Sequence, residues 1–578
     1  FEFPLADSPK KAEKEMRQLA DDYWLARNEI FPFEGTSNGF TQFNDRLPID
    51  FTDAYFQKQR EFYDGFLARL KKINLQKLSG ESKYDWLVLE WVLKNERQML
   101  SFRYNQVAPF NQFNSTPLDF HRMGSGKGNQ PFKNVRDFEN WEKRLAAIPA
   151  YLDSSIVYFR KGIHENLVLP KALVVKMIPS IRGVGDEKSG QSLFLDPVKN
   201  APDSVLTKAE RERFYQSYFA LVDQRVLPAY RRLADFLQNE YLSKARETAG
   251  LCSLPGGKGF YKNPIVPYYT TTDLTPDSIF QIGMAELAKI EVEFEKVKAR
   301  MGFKGSLAEF YQFLRTDKQF YPFKSEEEVL NWYHKNAAVI EPRLLKLFFT
   351  TPRCSCDFVP APKASCETGA HTYNHADANC SHHAYVTVPC CLPQNYWLPE
   401  MMALLLHEQQ PGHHLQNMTS IENATLTAFR RNVWVVCSIE GWGLYSEGLG
   451  YELNAYEDDV QLCGALSKDQ HRVIRLILDT GIHYKGWTRE QAIQFFTEHS
   501  ARPAKDIEME VERYISFPGQ ALGYRIGAMK IQELRNKTEA ALGSKFDVRA
   551  FHELVLKRGP LPLNLLEKRV DEWIKSQA

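Results

Sequence analysis

The chain has 578 residues, 43% of them hydrophobic and 25% charged, and its 73 basic and 72 acidic side chains leave a formal net charge of +1. That length exceeds the size at which one core stops growing, so two lobes are expected, and the balanced charge gives no basis for a nucleic-acid partner or an anionic membrane surface. No apolar run approaches the roughly 18 residues that span a bilayer, and the N-terminal FEFPLADSPKK lacks a basic, apolar, small-residue signal pattern, so the chain reads as soluble with any targeting segment removed.

Helix dominates the chain. Apolar residues recur at three- and four-residue spacing in Lys10 to Ala26, Asp53 to Lys72, Tyr84 to Leu100, Val135 to Asn166, Lys208 to Ala245 and Pro276 to Met301, with charges on the opposite face. Thr207-Lys208-Ala209-Glu210 and Thr275-Pro276-Asp277 have the composition of helix starts, and Leu254-Pro255-Gly256-Gly257 that of a turn. From Pro352 to Pro399 the helical period is lost. There His383-Ala384-Tyr385-Val386-Thr387-Val388 alternates as a strand, either an edge on which an extended substrate pairs or an ordinary hairpin. Helix resumes over Tyr396 to His407. The expected organisation is a mostly helical N-terminal lobe over residues 1–350, a Cys/His-rich β and loop region over 351–399, and a C-terminal catalytic helical region over 400–578.

Six of the nine cysteines, Cys354, Cys356, Cys366, Cys380, Cys390 and Cys391, fall in that middle region, interleaved with His371, His375, His382 and His383. Disulfides, a second metal site and free thiols all fit such clustering; the absence of paired C-x-x-C elements with zinc spacing favours disulfides. Together with N-x-S/T sequons at Asn114, Asn379, Asn417, Asn423 and Asn536, this points to an extracytoplasmic or secreted location.

The chemistry is concentrated in LLLHEQQPGHHLQ, Leu404 to Gln416. In H-E-x-x-H the two histidines four apart share a helix face and one metal, and the glutamate meets the bound water. Here the fourth position is Pro411, which cannot ligate and which removes a helical hydrogen bond, so Pro411-Gly412 predicts a break. His413 needs only those two residues looped out. His414, seven residues on, returns to the same face about 10 Å along an unbroken helix, too far to share the ion. His413 is therefore the favoured second ligand after His407, with His414 left to bind substrate or support the site, and Glu408 is the general base. Downstream, SIEGWGLYSEGLGYE offers Glu440 and Glu447 on one helical face. Its E-G-aromatic-x-x-Y-x-E pattern resembles the third-ligand helix of the aminopeptidase N clan, and by that similarity Glu440 completes the site while Glu447 orients a histidine or forms a structural pair.

The runs HEQQPGHHLQ, EGWGLYSE, LDTGIHYKGWTREQA, YISFPGQALGYRIGAMKIQELR and FHELVLKRGPLPLNLLE follow in the order of the domain-of-unknown-function 885 family, and NDRLPID resembles its N-terminal region. Those proteins carry an H-E-x-x-P-G-H-H signature and are similar to gluzincin metallopeptidases. The resemblance implies a mainly α, two-lobed zincin-like fold with a small β region before the metal helix and a deep central channel. It also implies an oxyanion donor from the C-terminal part, for which Tyr524 and His483 are candidates, and Arg525 as the binder of a substrate carboxylate. The expectation is a zinc-dependent hydrolase of short peptides, of dipeptidase, carboxypeptidase or oligopeptidase type. Two rivals are a zinc hydrolase of a non-peptide amide and a zincin-like peptide-binding protein without turnover.

Overall fold

The computed structural model describes residues 9–361, 366 and 370–577 and is mainly helical, with one three-stranded sheet. The expected helical segments form as Pro9–Ile30, Asp53–Leu70, Gly80–Met99, Val135–His164, a run from Lys208 to Tyr241, and Pro276–Arg300. Local capping explains their starts: Thr207 accepts from the Glu210 N–H while the Glu210 carboxylate accepts from the Thr207 N–H, and Thr275 and Ser278 repeat the exchange. The Lys208 run is not one straight α-helix. It holds π turns at Val222–Val226 and Leu237–Tyr241, the first just before Pro228, whose missing N–H interrupts the regular ladder.

Packing divides the chain into a unit of Phe1–Lys77, Leu89–Ala249 and Ser253–Gly257 and a unit of Leu78–Val88, Gly250–Cys252 and Lys258–Ala578. In the first, Arg144 is fully buried and reads as a clamp on the N-terminal loops. Its guanidinium donates to the carbonyls of Pro32, Phe43 and Arg46, to Thr36 Oγ1 and to Gln130 Oε1, so the NDRLPID segment hangs on a cation that burial pushes down to about 10.

The second unit contains α1 (Pro276–Arg300), a sheet of β1 (Cys356–Pro360), β2 (Thr372–Asn374) and β3 (Ala384–Val388), and then α2 (Met401–Glu408), α3 (His413–Ile421), α4 (Val436–Gly448), α5 (Asp459–His483), α6 (Ala504–Ser516), α7 (Leu522–Leu542) and α8 (Val548–Leu556). The boundary thus falls near residue 257. Residues 258–350, expected with the N-terminal lobe, belong to the second unit because α1 lies along α5. The Tyr396 to His407 helix begins only at Met401, after 3-10 turns at Pro393–Asn395 and Leu398–Glu400 whose prolines fit a tight turn.

The sheet order is β1-β3-β2, with β3 parallel to β1 and antiparallel to β2. Ala384, Val386 and Val388 point inward, as their alternation predicts. The expectation that this strand forms a substrate edge is corrected: β3 is paired on both sides, and the edges are β1 and β2. The disulfides Cys354–Cys380 and Cys366–Cys391 close this region, each across a separation of about 25 residues, a loop size for which a crosslink contributes about 3 kcal/mol. Cys354 also packs with Ala376, Ala384 and Met418, which docks the sheet on α3.

α4 and α7 cross with backbones nearly in contact. A Cβ on Gly527 would lie 2.0 Å from the Cys437 carbonyl oxygen, and one on Gly441 would lie 2.6 Å from the Gly527 Cα. Gly527→Ala should therefore force the helices apart and cost about 1–3 kcal/mol, read as a lowered midpoint in chemical denaturation; an unchanged midpoint would mean that the crossing tolerates a methyl group.

Candidate metal centre

The helix that carries His407 and Glu408 ends at Glu408 and restarts at His413, so Gln409 to Gly412 form the break that Pro411 predicts. The Gln410–Pro411 peptide is cis. The break is held at both sides: Trp442 Nε1 donates to the Pro411 carbonyl at 2.9 Å, and Gln409 Nε2 donates to the Cys356 carbonyl of β1 at 3.1 Å. Only glycine fits at 412, where a Cβ would sit 1.9 Å from the His407 carbonyl oxygen.

α4 meets this helix through the imidazole of His407. Glu440, Gly443 and Glu447 stand three and four residues apart, hence on one face of α4. The His407 ring lies over Gly443, where a Cβ would approach Cε1 to 2.7 Å and Nε2 to 2.8 Å. Glu447 accepts from Nδ1–H at 2.7 Å, which directs the Nε2 lone pair toward Glu440. Ser446 Oγ adds a hydrogen bond to the Leu406 carbonyl at 3.0 Å, fixing α4 against α2.

His407, His413 and Glu440 converge, with one ligand atom from each inside 4.8 Å of the others, and can hold a metal ion. Glu440 Oε2 is 3.5 Å from Nε2 of both histidines. Tetrahedral ligands with bonds of about 2.0–2.1 Å stand about 3.4 Å apart, and the two Glu440 separations are close to that spacing. The charges agree. Burial disfavours a cation at His413, but the hydrogen bond and charge of Glu440, and the charge of Glu408, push it up to about 9. Burial likewise opposes ionisation of Glu440 and Glu447; the two histidines hold Glu440 well below the usual carboxylate range, and Arg472, 3.5 Å from Glu447, and His407 lower Glu447. The cluster is thus buried and short of positive charge, a deficit a cation would fill. Glu408, 9% exposed, keeps its carboxylate out of these pairs and makes no hydrogen bond among the described residues.

The other expected site residues lie elsewhere in the hydrogen-bond network. His414 is fully buried; its Nε2–H donates to the Cys354 carbonyl at 2.9 Å, Tyr373 Oη donates to its Nδ1 at 3.1 Å, and burial pushes it down to about 4. It braces the sheet on α3, in keeping with the supporting role that was one of its two expected tasks. Arg525 is spent on Asp469 and, at 2.5 Å, on Glu286, so it has no open fork for a substrate carboxylate. His483 accepts from the Leu251 N–H and donates to the Tyr514 carbonyl, a main-chain clasp with no ring nitrogen left for an oxyanion. Tyr524 Oη lies 3.3 Å from Arg513, with the Arg475 guanidinium 4.3 Å over its ring. Of the two groups of possible ligands among the described residues, the one in the cysteine-rich region is Cys354, Cys380 and Glu422, and its two sulfurs are joined to each other.

Gly443, Trp442 and a cluster of Tyr333, His371 and Tyr396 were not anticipated. Tyr333 and Tyr396 share a 2.9 Å hydrogen bond and His371 contacts both, while burial, with a smaller contribution from the charge of Glu408, raises the Tyr333 hydroxyl. Gly443 had a sequence signal, a glycine placed three and four residues from two candidate ligands. The tyrosines had none.

A family model described as bacterial protein of unknown function (DUF885) matches residues 32–570. A solved structure described as the "putative lipoprotein" from Colwellia psychrerythraea superposes with a TM-score of 0.89 at 25% identity, covering 99% of this chain and 100% of that one. Another, a "putative lipoprotein of unknown function" from Shewanella oneidensis, superposes with a TM-score of 0.73 at 17% identity, covering 96% and 99%. No curated protein matches the chain.

Two substitutions separate the ligands from their supports. His413→Ala should abolish stoichiometric metal binding and His414→Ala should retain it, as measured by metal analysis after dialysis; the reverse result would overturn the ligand assignment. Glu447→Gln should keep the site but weaken its metal affinity by about 10–100-fold, read in competition with a chelator.

Proposed function

The chain belongs to the DUF885 family, and from that premise and the geometry of the centre we propose that it is a zinc-dependent hydrolase of peptide bonds in short peptides. One observation supports the reading: two imidazoles and a carboxylate converge within 4.8 Å beside the Glu408 carboxylate, which makes no hydrogen bond or ion pair among the described residues. A structural zinc site is closed by four protein ligands, whereas three ligands with a neighbouring base belong to hydrolytic sites.

Zinc held by His407, His413 and Glu440 would supply a Lewis acid that polarises the scissile carbonyl and acidifies water. The chain's own residues do the rest. Glu408 accepts the proton of the attacking water and delivers it to the departing amine. Glu447 keeps His407 in the tautomer that presents Nε2, and Trp442 and Gln409 hold the break that lets His413 reach the same point. β1 supports a substrate-pairing role as the edge strand tied to Gln409, one residue from the base. An extracytoplasmic location is supported by the two disulfides and by the description of two structural neighbours as "putative lipoproteins". Among the described residues no helix is long and apolar enough to cross a membrane.

The test is Glu408→Gln against the parent protein, with zinc content and hydrolysis of a short-peptide library measured on the same preparations. The variant should keep one zinc per chain and lose about 10²–10⁴-fold in turnover. A parent protein that holds zinc and cleaves no peptide would remove the peptidase reading, and cleavage confined to non-peptide amides would redirect it.

A further inference from the structure

With Arg525 engaged by two carboxylates, the second unit contains another buried cation. Lys468 of α5 is 6% exposed and makes no hydrogen bond or ion pair among the described residues. The acids nearest to it in charge are already claimed. Glu400 is held by Arg502 at 2.9 Å and by Ser467 at 2.7 Å, and Glu447 is held by His407 at 2.7 Å. One turn further along the same face, Arg472 directs one Nη toward Glu447 at 3.5 Å, while its Nε and other Nη are buried without any acceptor. Leaving such donors buried and unmatched is costly, the more so for a charged group, so an arrangement of this kind calls for an anion.

Its position links it to the metal centre. α5 packs on α2, the helix of His407 and Glu408. Arg472, four residues along α5 from Lys468, reaches Glu447 at 3.5 Å, and Glu447 in turn accepts from His407 at 2.7 Å. Burial and the neighbouring Arg472 push Lys468 itself down to about 8, so it is a cation at neutral pH that an incoming anion would stabilise further.

We propose that Lys468, backed by Arg472, is the subsite for a carboxylate of the substrate, the free C-terminal carboxylate of a short peptide whose scissile bond lies at Glu408. This rests on the hydrolase reading and narrows it to enzymes that read a chain end, with dipeptides and carboxypeptidase substrates preferred over capped or internal sequences. An ammonium on a buried stem recognises a carboxylate by charge-assisted hydrogen bonding, and a neutral C-terminal amide forfeits that bond.

The experiment measures binding in the zinc-loaded Glu408→Gln protein, so that turnover is not needed, with tri-alanine, tri-alanine amide and Ala-Glu-Ala amide as probes in calorimetry. Tri-alanine should bind at least tenfold more tightly than its amide. Lys468→Met should erase that difference and Lys468→Arg should retain it. Should Lys468→Met fail to fold, Lys468→Gln serves, and the comparison of acid with amide needs no variant. Equal affinity for acid and amide, or equal weakening of both by Lys468→Met, overturns the proposal. If Ala-Glu-Ala amide matches tri-alanine, the carboxylate recognised is an acidic side chain and the chain-end reading falls. Acid-over-amide discrimination without peptide hydrolysis by the parent protein would leave the subsite standing and remove the hydrolase reading; hydrolysis without discrimination would do the opposite.

Discussion

The imidazole of His407 is gripped along its length by one helix. Glu447 takes Nδ1–H at 2.7 Å, Glu440 faces Nε2 at 3.5 Å, and the ring rests on Gly443 between them. Three features of α4 are thereby bound together: the spacing of its two glutamates, the missing side chain between them, and a glycine-lined crossing with α7 that sets the height of the helix. A methyl group at Gly443 would overlap the ring and displace it from its place between the two carboxylates. The convergence of the candidate ligands is in this sense set by packing.

The electrostatics follow from the same arrangement. Glu408, Glu440 and Glu447 surround two imidazoles in a largely buried space, and burying three carboxylates is costly unless cations accompany them. Glu440 and Glu408 favour the charged form of His413, and Arg472 faces Glu447 at 3.5 Å, so positive charge accompanies the carboxylates. The face of α5 that supplies Arg472 also presents Lys468, so one helix both supports the ligand sphere and offers positive charge beside it. Site and proposed carboxylate subsite share a single charge balance, and a change in one should be felt by the other.

The β region has a different task. Two disulfides, the small cluster of Cys354, Ala376, Ala384 and Met418, and both nitrogens of His414 fasten the sheet to α3. Gln409 ties β1 to the break in the metal helix. The second histidine of the His413-His414 pair thus serves the scaffold while the first faces the ligand set, a division that the broken helix makes feasible because restarting at residue 413 sends the two side chains different ways.

Much of this was readable without coordinates, for identifiable reasons. Helix positions follow from apolar period and caps, both local, so Asp53, Val135, Lys208 and Pro276 are observed starts that the sequence already marks. Pro411 guarantees a break because its ring forbids the helical hydrogen bond wherever it stands. The two candidate glutamates share a face because seven residues nearly complete two turns. What only tertiary structure decided were relations between segments far apart in the chain: that the His407 ring lies over Gly443, that β3 is central and β1 an edge, that Arg525 is consumed by Asp469 and Glu286, and that Lys468 makes no hydrogen bond or ion pair among the described residues. Spacing fixes the direction of a side chain on its own element, but its partners are set by how elements pack, and no local rule contains that information.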